Sequence, residues 1–230
     1  TPVVGMVGLL EQIEHRVGSH FQQSGDRILL LGGVPDNPIG GSGRLGGSAY
    51  WTYVRDFIGG AQPIVDLAAE AVLQKLLVEA ARLNLLRSAH DCSTGGLAVA
   101  LAEAAMGGPY SIEGLGAEVR LGSSAARSGD TAGRRVGSAQ RRSDPGPDDE
   151  DVKVLYAEDQ GRVVASCEPA DEAALLALAK NFGVPAAAIG KVMARDGELA
   201  ITTPTSQYAW SVPRLRETYF SAIPSRMAAS

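Results

Sequence analysis

The chain has 230 residues, 45% of them hydrophobic and 20% charged, with 21 basic against 26 acidic side chains for a net charge of −5. That is enough chain to bury a core without disulfide staples, and the length suits one or two domains. A mildly acidic balance argues against nucleic acid as a partner, and no apolar run reaches the roughly 18 residues of a membrane span. The opening residues show no basic stretch followed by an apolar one, so no secretory signal is visible. A first residue of Thr1 rather than Met suggests a fragment or a processed chain. Cys92 and Cys167 are too few for a disulfide framework or a Cys-rich zinc site, and reduced thiols of a cytoplasmic protein are the default.

In chain order, Pro2–Leu10 reads as a strand, and Arg27–Leu31 as a buried strand introduced by the turn residues Ser24-Gly25-Asp26. A Gly/Pro-rich loop spans Gly32–Gly47. Ser48–Ile58 reads as a short helix capped by Ser48. Pro63 suits a helix start, and Val65, Ala68, Ala69, Val72, Leu73, Leu76, Ala80 and Leu83 recur at helical spacing opposite Glu70, Gln74, Lys75, Glu79 and Arg82. Leu85–His90 reads as a strand, Thr94–Met106 as a helix ended by Gly107-Gly108-Pro109, and Ala117–Leu121 as a strand. From Gly122 to Asp151 only Val136 is a large apolar residue, and this composition predicts a disordered loop. Its Arg134, Arg135, Arg141 and Arg142 can touch a polyanion, although a solvated loop explains them as well. Beyond it, Val152–Tyr156 and Arg162–Cys167 read as strands around an Asp159-Gln160-Gly161 turn. Asp171–Phe182 reads as a helix stopped by Gly183. Ile189–Met193 and Glu198–Thr202 read as a hairpin about Asp196-Gly197, and Val212–Ala222 as a terminal helix. The mixture predicts an α+β, α/β sandwich-like fold.

Few motifs carry chemistry. Gly41-Ser42-Gly43-Arg44-Leu45-Gly46 fits GxGxxG, yet residues 32–38 separate it from the preceding strand, which a dinucleotide site does not allow. The histidines are His15, His20 and His90. The first two fall in a polar turn region and read as solvated, and no His or Cys spacing suits a metal. His90-Asp91 is a conceivable acid/base pair, but neighbours on a strand point to opposite faces, so a structural histidine explains it better. Ser48 and Ser93 lack the GxSxG setting of a hydrolase nucleophile. No residue is assigned a catalytic or metal-binding role. The most informative stretch runs from Ser88 to Glu103 as strand, tight turn and helix. Ser93 or Thr94 can cap that helix, and Gly95 and Gly96 permit close approach to the backbone. The same exposed N–H groups can instead hold an anion, which makes Ser93, Thr94, Gly95 and Gly96 the candidate phosphate-binding residues.

His90-Asp91-Cys92-Ser93-Thr94-Gly95-Gly96-Leu97-Ala98-Val99-Ala100-Leu101-Ala102-Glu103 closely resembles the HD-x-S-x-GGLA-x-ALAE motif of the phosphoribosylformylglycinamidine synthases, the PurL family of purine synthesis. Thr1–Gly8 resembles that family's TPV-x-G-x-VG strand, Gly25-Asp26 its GD-x-I segment, Leu45–Tyr50 its LGGS-x-Y, and Asp159–Arg162 its SQGR turn. Five matches fall in order over about 1–121 and 152–202, and the stretch 122–151 departs from the pattern. The resemblance implies two tandem units like aminoimidazole ribonucleotide (AIR) synthetase, PurM, each with an A and a B domain. Residues 1–60 would be the end of the second A domain and 61–230 the second B domain, an AIR synthetase-like C-terminal domain.

The same resemblance implies a function. The parent enzyme would use ATP and Mg2+ to convert the amide of formylglycinamide ribonucleotide into an amidine with glutamine-derived ammonia. Its partners would be the missing N-terminal half, a glutaminase subunit and a small bridging subunit, with neither nucleic acid nor membrane. The family's catalytic histidines and most magnesium and substrate ligands lie in the first half, and a GNVS-type nucleotide motif stands upstream of TPV. This chain would therefore be inactive alone and bind no cofactor tightly. A non-catalytic scaffold half, or another ATP-dependent member of the AIR synthetase superfamily, stands as the alternative.

Overall fold

The computed structural model describes residues 5, 7–10, 12–33, 41–108, 113–122, 150–195 and 197–228. Its frame is a seven-stranded sheet. The most apolar strand, β1 (Arg27–Gly32), lies near the middle of it, and Ile28, Leu29, Leu30 and Leu31 are all fully buried. A run without polar alternation means a strand covered on both faces. Ile28 and Leu30 point into one core, Leu29 and Leu31 into the other.

The remaining elements are α1 (Leu67–Arg82), β2 (Ser88–Asp91), α2 (Gly96–Met106), β3 (Leu115–Arg120), α3 (Glu150–Tyr156), β4 (Arg162–Cys167), α4 (Glu172–Phe182), β5 (Ala186–Arg195), β6 (Glu198–Thr202), β7 (Gln207–Ser211) and α5 (Val212–Ala228). The sheet order is β2-β4-β1-β5-β3-β6-β7. Every pairing is antiparallel except β3 with β6. Leu73, Leu76 and Ala80 of α1 pack with Leu175 and Ala179 of α4 on one face. On the other face α2 packs with Leu155 of α3 and Val212 at the start of α5. The result is an α+β sandwich, and β1 joins the segment before residue 60 to the sheet of the segment after it.

Several sequence expectations are corrected. Within Pro2–Leu10, the described residues 5 and 7–10 lie in no strand; the rest of that span lies outside the described residues, as do 123–149 of the expected loop and Asp196 of the expected turn. The helix expected over Ser48–Ile58 is a single wide π-type turn, Tyr50–Val54, where Trp51 N donates to Ser48 Oγ at 3.3 Å. α1 begins after Pro63, because the Asp66 carboxylate accepts from Ala68 N and Ala69 N at 2.9 and 3.0 Å and so fixes the first turn. Val65, Ala68 and Ala69 are consequently exposed.

Val152–Tyr156 is helical rather than extended. Val152 and Leu155, three apart, are both buried, Val152 with Leu45 and Tyr50 and Leu155 in the core that holds α2, and the buried Asp151 accepts from Tyr208 OH at 3.0 Å. Tertiary packing here overrides the β-preference of valine and tyrosine. β5 and β6 form no hairpin: β3 lies between them, antiparallel to β5 and parallel to β6. Alternation records which face a residue takes but not which strand lies alongside. β7 was not anticipated, and α5 runs on to Ala228 through Pro224.

Leu76 is fully buried among Leu29, Leu31, Leu73 and Leu175. Leu76→Ala is expected to cost about 2–5 kcal/mol through lost transfer energy and a cavity. Denaturant unfolding of the two chains measures it, and an unchanged midpoint would contradict this packing.

Candidate functional site

The turn between β2 and α2 is built as the sequence suggests, but its donors are used differently. Gly95 and Gly96 both take positive φ, +85° and +66°. Neither Ser93 nor Thr94 caps α2 with its hydroxyl: Gly95 is the residue before the helix, and it makes no side-chain cap. Ser93 Oγ instead donates to Asp91 Oδ2 at 2.6 Å, and its carbonyl accepts from Gly96 N at 2.9 Å. Thr94 is exposed. At Gly96 the need for glycine is steric as well as conformational, since a Cβ would lie 2.7 Å from the Ala157 carbonyl oxygen and 2.9 Å from that of Leu155. The start of α2 is pressed against the end of α3.

That approach brings in a residue the sequence reading missed. Glu158 Oε1 accepts from Gly95 N at 2.7 Å and from Ala49 N at 2.8 Å. The chain's own carboxylate thus sits where a phosphate oxygen would meet the Gly95 amide. Its neighbour Asp159 does the same for the GxGxxG segment. Ser42 N donates to Asp159 Oδ2 at 2.9 Å, and Ser42 Oγ donates to Asp159 Oδ1. A Cβ on Gly41 (φ +59°) would lie 2.1 Å from the same carboxylate. The glycine loop wraps an internal carboxylate and opens no helix, so it is not a dinucleotide turn. Asp159 is buried beside the fully buried Arg162, with NH1 3.6 Å from Oδ2. Arg162 O accepts from Cys92 N at 2.9 Å, closing the connection back to the turn.

The other candidates settle into structural places. Arg87 pairs with Glu168 rather than with the turn. His90 Nδ1 lies 2.8 Å from the Asp91 carbonyl oxygen, and Nε2 lies 3.1 Å from Glu103 Oε2. His20, expected in solvent, is half-buried with Nδ1 3.2 Å from the Glu103 carbonyl oxygen. Glu103 at the end of the motif therefore ties both histidines to α2. No histidine meets Ser93 or Ser48, so no nucleophile–base pair forms with these residues. Burial pushes the Cys92 and Cys167 thiols up to about 11, which keeps both in the unreactive protonated form. Among the described residues, no group of three or more His, Cys, Asp or Glu is arranged to hold a metal ion.

Residues 23–201 match the family model described as AIR synthase related protein, C-terminal domain. The chain belongs to this family. Curated relatives of this AIR synthase-related chain are phosphoribosylformylglycinamidine synthase PurL subunits. The one from Thermobifida fusca is 33% identical over 225 residues, 98% of this chain and 24% of that protein. The one from Chlorobium chlorochromatii is 42% identical over 193 residues, 84% of this chain and 22% of that protein. The chain spans about a quarter of the length of these relatives. Thermotoga maritima PurL, solved in complex with ATP and with FGAR, superposes with TM-scores of 0.59 and 0.60 at 20% and 19% identity. Each superposition covers 89% of this chain, and 28% and 30% of the respective Thermotoga chains, and shows the fold. The sequence expectation of an AIR synthetase-like C-terminal domain is met. Among the described residues no helix is long and apolar enough to cross a membrane.

The Glu158 contact makes a specific demand. Glu158→Ala leaves the Gly95 and Ala49 amides without their acceptor and is expected to cost about 1–3 kcal/mol. Hydrogen exchange should show both amides losing protection together although they lie far apart in sequence. Unchanged protection at either one would mean that Glu158 does not hold it.

Proposed function

We propose that the chain is the C-terminal part of a phosphoribosylformylglycinamidine synthase. The whole enzyme would convert formylglycinamide ribonucleotide into its amidine in de novo purine synthesis, with ATP, Mg2+ and glutamine-derived ammonia. The observation that carries this reading is identity of 33% running through 225 residues of a PurL subunit. The division at residue 60 that the resemblance implies would then move to the residues before β1, since the match to the C-terminal domain begins at residue 23 and β1 pairs with β4 and β5. The partners would be the N-terminal half, a glutaminase subunit and a small bridging subunit; one Thermotoga structure of similar fold is a PurLQS assembly. A cytoplasmic location goes with that role.

At the two glycine turns the residues do not fit the ATP and magnesium of that reaction. The glycine loop holds Asp159, the α2 turn holds Glu158, and no metal-ligating cluster is present among the described residues. No catalytic step is therefore assigned to this chain. The two self-satisfied turns favour a scaffold role for this part of the enzyme: it would give the catalytic half a rigid surface, while preorganised charge stabilisation comes from that half.

Two outcomes test this. The purified 230-residue chain is expected to form no amidine from formylglycinamide ribonucleotide, Mg-ATP and ammonia. A Thermobifida fusca PurL whose matching quarter is replaced by this chain is expected to regain measurable activity. A folded but inactive chimera, or an active isolated chain, would refute the reading.

Ser93, Thr94, Gly95 and Gly96 are read as the counterpart of a phosphate turn in which Glu158 takes the ligand's place. Inorganic phosphate titrated into the chain is expected to leave the Ser93–Leu97 amides unshifted. Saturable shifts confined to them would restore phosphate binding to the turn.

A further inference from the structure

We propose that His90 is a proton-operated brace: with both ring nitrogens protonated it ties the end of β2 to α2, and when Nε2 gives up its proton the arm to α2 is released. The contacts around the ring decide where its protons sit. Nδ1 lies 2.8 Å from the Asp91 carbonyl oxygen, and Nε2 lies 3.1 Å from Glu103 Oε2. Carbonyl and ionised carboxylate oxygens only accept, so both nitrogens face acceptors. A neutral imidazole has one N–H and one lone pair, and it can serve one of the two oxygens. The imidazolium serves both. Side-chain exposure is 14% for His90 and 30% for Glu103, so little water is at hand to stand in for a missing donor. Loss of the second proton leaves a bare nitrogen against a carboxylate oxygen, two acceptors in contact with no donor between them.

The order of release follows from what each partner can do. The Asp91 carbonyl belongs to the backbone of β2 and stays beside Nδ1. The Glu103 side chain can turn away, because it borders a cleft of about 340 Å3 between α2 and α5 that Met106, Tyr219 and Phe220 also line. The neutral ring therefore keeps its proton on Nδ1. Asp91 Oδ1 stands 3.8 Å from Nδ1 on the same strand. From the segment ahead of β1, His20 meets the Glu103 carbonyl with Nδ1 at 3.2 Å. On α5, Tyr219 lines the cleft, and Arg216 is held by the Met106 carbonyl and the Phe220 ring. β4 sets the uncharged Val164 opposite His90. Imidazole changes charge between about pH 5 and 8 without help from its surroundings. The brace is thus closed on the acid side of the ring's titration and open on the alkaline side. Closed, it fixes the entry to the Asp91–Gly96 turn to the second half of α2. Open, it sets a carboxylate free in the cleft that Tyr219 lines. The brace shares no residue with the Glu158 and Asp159 contacts, needs nothing from the synthase reading and can fail without it.

Nitrogen–proton correlation spectra of the His90 ring, recorded on the chain across that pH range, are the test. Two ring N–H groups are expected at the acid end and the Nδ1–H form at the alkaline end. The Glu103 carboxyl carbon and the Ala102, Glu103 and Ala104 amides should shift in step with the ring. His20→Gln removes the other imidazole near Glu103 and should leave this response in place. Adding Glu103→Ala to that chain should abolish the response at Ala102 and Ala104 while the His90 ring still titrates, a result that a histidine held only by its own strand would not give. Should the double variant not fold, the position of the remaining proton decides the matter. The proposal is overturned if the neutral ring is found in the Nε2–H form, if the proton taken up sits on the Glu103 carboxyl instead of the ring, or if a folded double variant responds like the His20→Gln chain.

Discussion

Asp159 and the buried guanidinium of Arg162 form the joint on which the site end of the molecule depends. Placing a charge in a protein interior is unfavourable unless a partner and hydrogen bonds replace its water. Here the partner is three residues away, and Ser42 supplies hydrogen bonds from backbone and hydroxyl. Glu158, next in the chain, reaches Ala49 and Gly95. Two adjacent carboxylates at the exit of α3 thereby fasten the glycine loop, the wide turn at Tyr50 and the entry to α2. A glycine at 96 lets α2 come close enough for this to happen. Remove the carboxylates, and three segments distant in sequence lose their common point of attachment.

The same joint shows how two turns with the backbone shape of a binding site are satisfied from within the chain. Glycine turns with free amides are anion receptors by construction. An internal carboxylate satisfies such donors without requiring a solute. Scaffold and receptor therefore share one backbone shape and differ in a side chain that lies 63 residues from the turn it fills.

Much of the architecture was legible in the residues. The unbroken apolar run of β1, the stripe of Leu73, Leu76 and Ala80, and Gly183 closing α4 each follow from local chemistry, and each stands where the sequence puts it. What was illegible is of another kind. Val152–Tyr156 has strand chemistry but is helical, because Val152 and Leu155 each enter a different hydrophobic cluster built mostly from residues distant in sequence. The pairing of β3 between β5 and β6 joins segments far apart in sequence, which local alternation does not record. Glu158 precedes the turn at Asp159–Gly161 and carries no signal of its own; its role depends on Ala49 and Gly95, and no spacing rule links the three. The resemblance to PurL pointed to the motif around His90, whereas the contacts that define its state come from outside it.

The position of β1 has a consequence for how the chain acquires its structure. Its hydrogen-bonding neighbours are β4 and β5, which lie far downstream. During synthesis from the N-terminus, four fully apolar residues leave the ribosome long before either edge that will cover them exists. Closing such distant contacts is slow, and exposed strands of this kind associate with one another in the meantime. A strand covered on both faces in the finished molecule is therefore exposed while the chain is being made, until the β5 residues up to Lys191 can pair with it.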